Sequence, residues 1–277
     1  MPPKRRPPLG QHFLRDLAVC ARIADAVAAS PDIGVIEIGP GQGVLTEKLL
    51  GKGVRLTAIE IDPALAGGLR ERFGDRDGFE VIEQDILKAD LRRVVEQLGV
   101  ERVVICGNLP YYITSPILRR VFDVSGLVAQ AVFLIQKEVA LRLAARKNTR
   151  DYGFLTVLCR LHAEPELLFS VPPGAFQPPP KVTSAVVRLA MRHPAAVEAG
   201  FVEFARKCFT HPRKKLRNNL ADAYPKDVLQ EQAELELRAQ QLDVTELIEL
   251  WRSLERSQAR ANPPVHAAGP CYDCAES

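Results

Sequence analysis

No apolar run in this 277-residue chain approaches the roughly 20 residues needed to cross a bilayer. A helical membrane protein is therefore not expected. The opening MPPKRRPPLG is basic but lacks the apolar stretch of a secretory signal, which points to a cytoplasmic protein. Excess charge of one sign is also missing. Lys and Arg number 37 against 34 Asp and Glu, so no uniform field identifies a partner. Clustered cysteine is scarce. Cys20, Cys106, Cys159 and Cys208 lie far apart in helix-like or strand-like surroundings, the pattern of reduced core thiols. Cys271 and Cys274 form a close pair, but no second pair or His cluster accompanies them. No metal site is expected, and residues 257–277 read as a disordered tail. Internal repeats are absent as well.

What is present is ample material for a core: 47% of residues are hydrophobic and 26% charged. Strand-like runs VIEI (35–38), LTAIEI (56–61), FEVIEQD (79–85), RVVICGN (102–108) and AVFLIQ (131–136) alternate with amphipathic stretches such as 42–52 and 63–73. This alternation predicts an α/β fold, a doubly wound and mostly parallel sheet covered on both faces. Two later strands near 165–171 and 184–190 are joined by a proline-rich loop rather than a helix, which predicts an antiparallel edge. From about residue 192 only helical patterns remain, at 199–209, 213–224, 227–238 and 243–256. The expected organisation is a main α/β domain over 1–191, with residues 1–9 a flexible basic arm, and a small all-helical domain over 192–256.

Between the first strand and the next helix, VIEIGPGQGVLTEKL places Gly39, Gly41 and Gly43 in a tight turn. Glycines there let a ligand reach backbone N–H groups at the helix's positive end. A nicotinamide dinucleotide site wants G-x-G-x-x-G, and this chain has Val44 at the last position. The E-x-G-x-G-x-G turn suits S-adenosylmethionine (AdoMet) better, and a turn without any ligand is the third reading. The second strand ends in Glu60, able to accept from ribose hydroxyls, and the third in Asp85, able to accept from an adenine amino group. Three successive strand ends carrying glycines, Glu and Asp favour AdoMet.

The fourth strand ends in CGNLPYY (106–112). An adenine amino nitrogen is a poor nucleophile because its lone pair is delocalised into the ring. Asn108 Oδ1 and the Leu109 carbonyl could accept its two hydrogens and free the lone pair. Pro110 would hold the turn rigid, and Tyr111 could stack on the base. The bland alternative is a strand-to-loop turn in which Asn caps, Pro stiffens and Tyr packs. Tyr112 is assigned to packing.

Taken with GQHFLRD (10–16), EIGPGQGVLT, AIEID, QDIL, GNLPYYITSPIL, LIQKEVALRL (134–143), YGFLTV (152–157), FQPPPKVTSAVVRL (176–189) and FTHPRKKLRNNL (209–220), the chain resembles the small-subunit ribosomal RNA adenine dimethyltransferases over most of residues 10–220. The resemblance implies a Rossmann-like AdoMet-dependent methyltransferase domain with a helical appendage. It also implies dimethylation of two adjacent adenosines in a hairpin near the 3′ end of 16S ribosomal RNA. His12 and Leu14 would line the cofactor site with Gly39, Gly41, Glu60, Asp85 and Asn108, although the family usually has Asn where this chain has His12. Phe176 would face the flipped base opposite Tyr111, or else anchor its loop. The implied partner is small-subunit ribosomal RNA within a precursor particle, met by a monomer. Basic runs at 4–6, 142–150 and 206–217 could meet its phosphates, foremost Arg206, Lys207, Arg213, Lys214, Lys215 and Arg217. Large-subunit RNA methyltransferases of the antibiotic-resistance class share the first four motifs, but usually show Phe at position 111. A non-catalytic RNA-binding assembly factor on the same fold is the alternative from another class.

Overall fold

The computed structural model describes residues 12–27, 33–192, 200–230 and 232–261. It divides into two compact units, one ending at Val197 and the other beginning at Glu198.

The first unit is built on nine strands: β1 (Phe13–Leu14), β2 (Ile33–Ile38), β3 (Leu56–Glu60), β4 (Phe79–Glu83), β5 (Arg102–Asn108), β6 (Val128–Gln136), β7 (Ala163–Val171), β8 (Phe176–Gln177) and β9 (Ser184–Met191). Seven form one sheet in the order β4-β3-β2-β5-β6-β9-β7. β4, β3, β2, β5 and β6 are parallel, and β9 runs antiparallel to both β6 and β7. β1 and β8 make a separate antiparallel pair, with Leu14 opposite Phe176. Helices α1 (Leu17–Ala26), α2 (Val44–Leu50), α3 (Pro63–Phe73), α4 (Leu91–Leu98), α5 (Thr114–Asp123), α6 (Lys137–Leu143) and α7 (Phe154–His162) connect the strands. This is a doubly wound, Rossmann-like architecture, with the antiparallel edge that the late strands predict.

Local chemistry explains most element boundaries. Apolar residues such as Val35, Ile36, Val104, Ile105, Val132 and Phe133 are fully buried, as a sheet covered on both faces requires. Asp16, Asp62 and Asp90 cap the starts of α1, α3 and α4, each side chain accepting two backbone N–H groups. Pro63 at the first position of α3 lacks the N–H that a helix start leaves unpaired. The strand order reverses between β2 and β3 on one side and β5 on the other. The carboxyl ends of these strands therefore converge on one crevice.

The second unit contains α8 (Phe201–Cys208), α9 (Leu216–Leu220) and α10 (Val244–Ala261), with short 3-10 turns between α9 and α10. Asp243 and Glu246 each accept the other's backbone N–H, a reciprocal box that starts α10. Two expectations fail here. The helix expected over 227–238 is instead a chain of 3-10 turns at Val228–Gln230 and Ala233–Glu236. The Leu237 carbonyl accepts the N–H of Leu216, a bond that a continuous helix would direct to residue 241. Residues 257–261 belong to α10 rather than to a tail, since Arg256–Arg260 is a run of helix-compatible side chains with no breaker. The basic arm at 1–9 and the Cys271/Cys274 pair lie outside the described residues.

Candidate functional site

The crevice at the strand ends is lined by His12, Leu14, Gly39 and Gly41, and by Glu60 and Asp85. Asn108, Leu109, Pro110 and Tyr111 line it too. Ten of the eleven residues proposed from sequence for cofactor and base are thus brought together from β1 and the ends of β2, β3, β4 and β5.

The cofactor half follows from the glycine turn. Gly39, Gly41 and Gly43 all have positive φ, at 65°, 58° and 77°, conformations that L side chains rarely adopt. Gly41 lies under the Phe13 ring, where an added Cβ would come within 3.0 Å of ring carbon. Glu60, at the end of β3, is buried, and its two carboxylate oxygens accept backbone N–H groups, Oε2 from Gly41 and Oε1 from Asp62, both at 3.0 Å. Those bonds fix the carboxylate beside the turn and leave it lone pairs for further donors. Burial pushes its pKa up, opposed by the N–H bonds from Asp62, Gly41 and Ile61. Asp85 accepts the N–H of Leu87 at 2.9 Å, which orients it at the end of β4. Ile61 and Ile86, the residues after each acid, also line the crevice and give it apolar walls. A positive-φ cradle, two placed carboxylates and apolar walls fit a nucleoside with a charged tail, and so fit AdoMet. Sequence reasoning passed over Phe13, Ile61 and Ile86. The apolar residue following each strand-end acid was the available signal.

Glu37, one residue before the turn's strand ends, is 1% exposed and accepts a hydrogen bond from Thr46 Oγ1 at 2.7 Å. Burial pushes its pKa up from 4.5 to about 7, with Thr46 opposing and Glu60 adding a little.

The acceptor half is held from several directions. Asn108 Nδ2 donates to the His12 backbone carbonyl at 2.8 Å. A carbonyl can only accept, so this bond sets the amide orientation and leaves Oδ1 as the free acceptor. Gly107 makes the placement possible, because a Cβ there would collide with the Ile38 carbonyl at the end of β2. The Tyr111 hydroxyl lies 2.6 Å from Ser184 Oγ, and burial pushes its pKa up. His12 Nδ1 donates to the Pro178 carbonyl at 2.8 Å. Its ring centroid is 5.8 Å from that of Tyr111. His12 is therefore tied to the acceptor turn and the proline loop.

Two expectations need correction. Phe176 does not line the crevice. Its pairing with Leu14 turns it into the core beside Val19, Ile23 and Val171, where it is 4% exposed, so it anchors its loop and offers no face to a base. Tyr112 is not a packing residue. It is 63% exposed on a single 3-10 turn, because the phenol of Tyr111 takes the inward position.

In the second unit Arg206, Lys207, Arg213, Lys214, Lys215 and Arg217 are all exposed. Glu236 pairs with both Lys215 (2.7 Å) and Arg217 (2.6 Å), and Arg206 pairs with Glu203 (3.3 Å). Among the described residues, no three or more His, Cys, Asp or Glu side chains are grouped to hold a metal, and no helix is long and apolar enough to cross a membrane.

Comparison with known proteins places this geometry. A sequence model of the family described as ribosomal RNA adenine dimethylase matches residues 3–254. "Ribosomal RNA small subunit methyltransferase A" of Acidobacterium capsulatum is 42% identical over 263 residues, covering 91% of this chain and 92% of that protein. Its namesake in Pseudomonas aeruginosa is 39% identical over 256 residues, covering 91% and 95%. Among solved structures, a dimethyladenosine transferase from Plasmodium falciparum superimposes with a TM-score of 0.76 at 25% identity, covering 88% of this chain and 98% of that one. The 23S rRNA methyltransferase ErmE gives 0.64 at 30% identity, covering 88% and 99%. With its strand-end crevice intact and the family pattern running along nearly its whole length, this chain belongs to the ribosomal RNA adenine dimethylase family.

Proposed function

We propose that the chain transfers methyl groups from AdoMet to the N6 amino groups of two adjacent adenosines in the 3′-terminal hairpin of 16S ribosomal RNA, dimethylating both. The observation that carries this reading is the orientation of Asn108. Its amide nitrogen is spent on the His12 carbonyl, so Oδ1 is the atom left to meet an incoming amino group. AdoMet, when bound, supplies a methyl on a cationic sulfur that a nitrogen lone pair displaces in line. Gly39, Gly41, Glu60 and Asp85 would bind and orient it, with His12 and Leu14 closing the crevice. The Asn108 Oδ1 and the Leu109 carbonyl accept the two amino hydrogens, which makes the nitrogen more pyramidal and frees its lone pair. Pro110 fixes the turn, and the Tyr111 ring stacks on the base once it has swung out of its helix. No strong general base is needed. The methylated nitrogen becomes acidic as it turns cationic, and water takes the proton. Most of the acceleration then comes from positioning.

The small-subunit RNA is favoured over the large because the relatives matching at about 40% identity carry the small-subunit name, and because Tyr stands at position 111. The exposed cations of the second unit would contact RNA phosphates. The enzyme would act in the cytoplasm as a monomer on a precursor small-subunit particle. The test is transfer of labelled methyl to small-subunit particles that lack these modifications, with mass spectrometry of the RNA to count methyls per nucleotide. Two adjacent dimethyladenosines are expected. Labelling confined to large-subunit RNA would overturn the assignment.

A further inference from the structure

Tyr111 can serve as a stacking platform only if its ring is held in one plane, and one buried side chain holds it. Ser184 is the first residue of β9 and is fully buried, an unusual place for a hydroxyl. Its backbone cannot shift easily, because β9 is paired on both sides and Ser184 stands opposite Gln136 of β6 and Val171 of β7. From this fixed point Oγ reaches the Tyr111 hydroxyl at 2.6 Å. Tyr111 itself opens a single 3-10 turn (Tyr111–Ile113), none of whose residues is buried. A tyrosine ring on such a turn has two free torsions. Pinning the phenol oxygen removes most of that freedom, and the tilted His12 ring limits what is left. Glu60 and Asp85, the carboxylates of the cofactor half, are held instead by backbone N–H groups of Gly41, Asp62 and Leu87.

We propose that Ser184 is a positioning residue for methyl transfer: its hydroxyl sets the plane of Tyr111 against the target adenine. The inference rests on the reading of Tyr111 as the base platform. It separates two effects that a merely structural hydrogen bond would not separate, because the transfer step depends on the ring's plane while cofactor binding does not.

The test compares wild type, Ser184→Ala, Tyr111→Phe and the double variant on undermethylated small-subunit particles. Single-turnover transfer should slow about ten-fold in each single variant, while the Kd for AdoMet by calorimetry stays within about two-fold. The double variant should be no slower than either single one, since both changes break the same contact. Wild-type rates in either single variant, or slowing that multiplies in the double, would overturn the proposal. If Ser184→Ala fails to fold, Tyr111→Phe decides alone, because it keeps the ring and removes only the bond. A wild-type protein that methylates no adenosine would instead refute the proposed function, and this inference with it.

Discussion

The buried Glu37 gives the sharpest quantitative test of the site's electrostatics. Its carboxyl is 1% exposed, and desolvation raises its pKa from 4.5 to about 7 in the folded protein. Below pH 4.5 the group is protonated in folded and unfolded chains alike and contributes nothing to the pH dependence. Between 4.5 and 7 the folded state binds more protons than the unfolded one, so stability falls as pH rises. Above 7 the loss is complete, at about 3 kcal/mol. Glu37→Gln keeps the shape and an oxygen able to accept from Thr46 Oγ1, and removes the titration. Denaturant unfolding of both proteins without cofactor, at pH 5 and pH 8, isolates the effect. The stability difference, variant minus wild type, should increase by about 2–3 kcal/mol between these two pH values. Any fixed cost of the amide's extra N–H groups appears equally at both and cancels. Glu60, also raised by burial, titrates in both proteins and largely cancels as well. A difference that does not change with pH, or that shrinks as pH rises, would refute the raised pKa of Glu37.

Other outcomes follow from the same geometry. Asn108→Ala should lower methyl transfer by at least about 100-fold while AdoMet affinity, measured by calorimetry, falls much less. Equal losses would make Asn108 a cofactor residue. Gly107→Ala forces a methyl against the Ile38 carbonyl and should destabilise the protein by about 2–4 kcal/mol in denaturant unfolding, with cofactor affinity lost as the β2 and β5 ends separate. Replacing Lys207, Arg213 and Lys214 by Gln should flatten the dependence of log K on log salt for RNA binding by about two units. Replacing Lys215 and Arg217, which share Glu236, should change the slope less.

The cofactor half of the site was legible in the sequence because a parallel sheet converts local motifs into a shared place. Glycines after β2, an acid after β3 and another after β4 each announce a strand end. Pairing of those strands in order then forces the ends together. Asn108 joins them because β5 lies against β2 on the other side. The second unit was less legible. Its 3-10 turns are held by long-range contacts, among them the Leu216–Leu237 backbone bond and the pairs of Glu236 with Lys215 and Arg217, which no local periodicity announces.

The frame around the acceptor was hidden for the same reason in stronger form. Asn108 is oriented by a carbonyl 96 positions earlier, Tyr111 by a hydroxyl 73 positions later, and His12 by a carbonyl 166 positions away. FQPPPKVTS (176–184) looked like a stretch whose aromatic residue meets the base. In the fold its contribution is inverted. Phe176 is spent in the core to seat the loop against β1. Backbone and hydroxyl groups of the loop's two ends, Pro178 and Ser184, then reach His12 and Tyr111. A departure from the family's usual Asn at position 12 fits this arrangement. The atom that orients Asn108 belongs to the backbone of residue 12, which any side chain supplies, while imidazole adds a donor for the Pro178 carbonyl. The placement of Asn108 thus depends on where residue 12 sits more than on what its side chain is, and that position is fixed by the short pairing of β1 with β8.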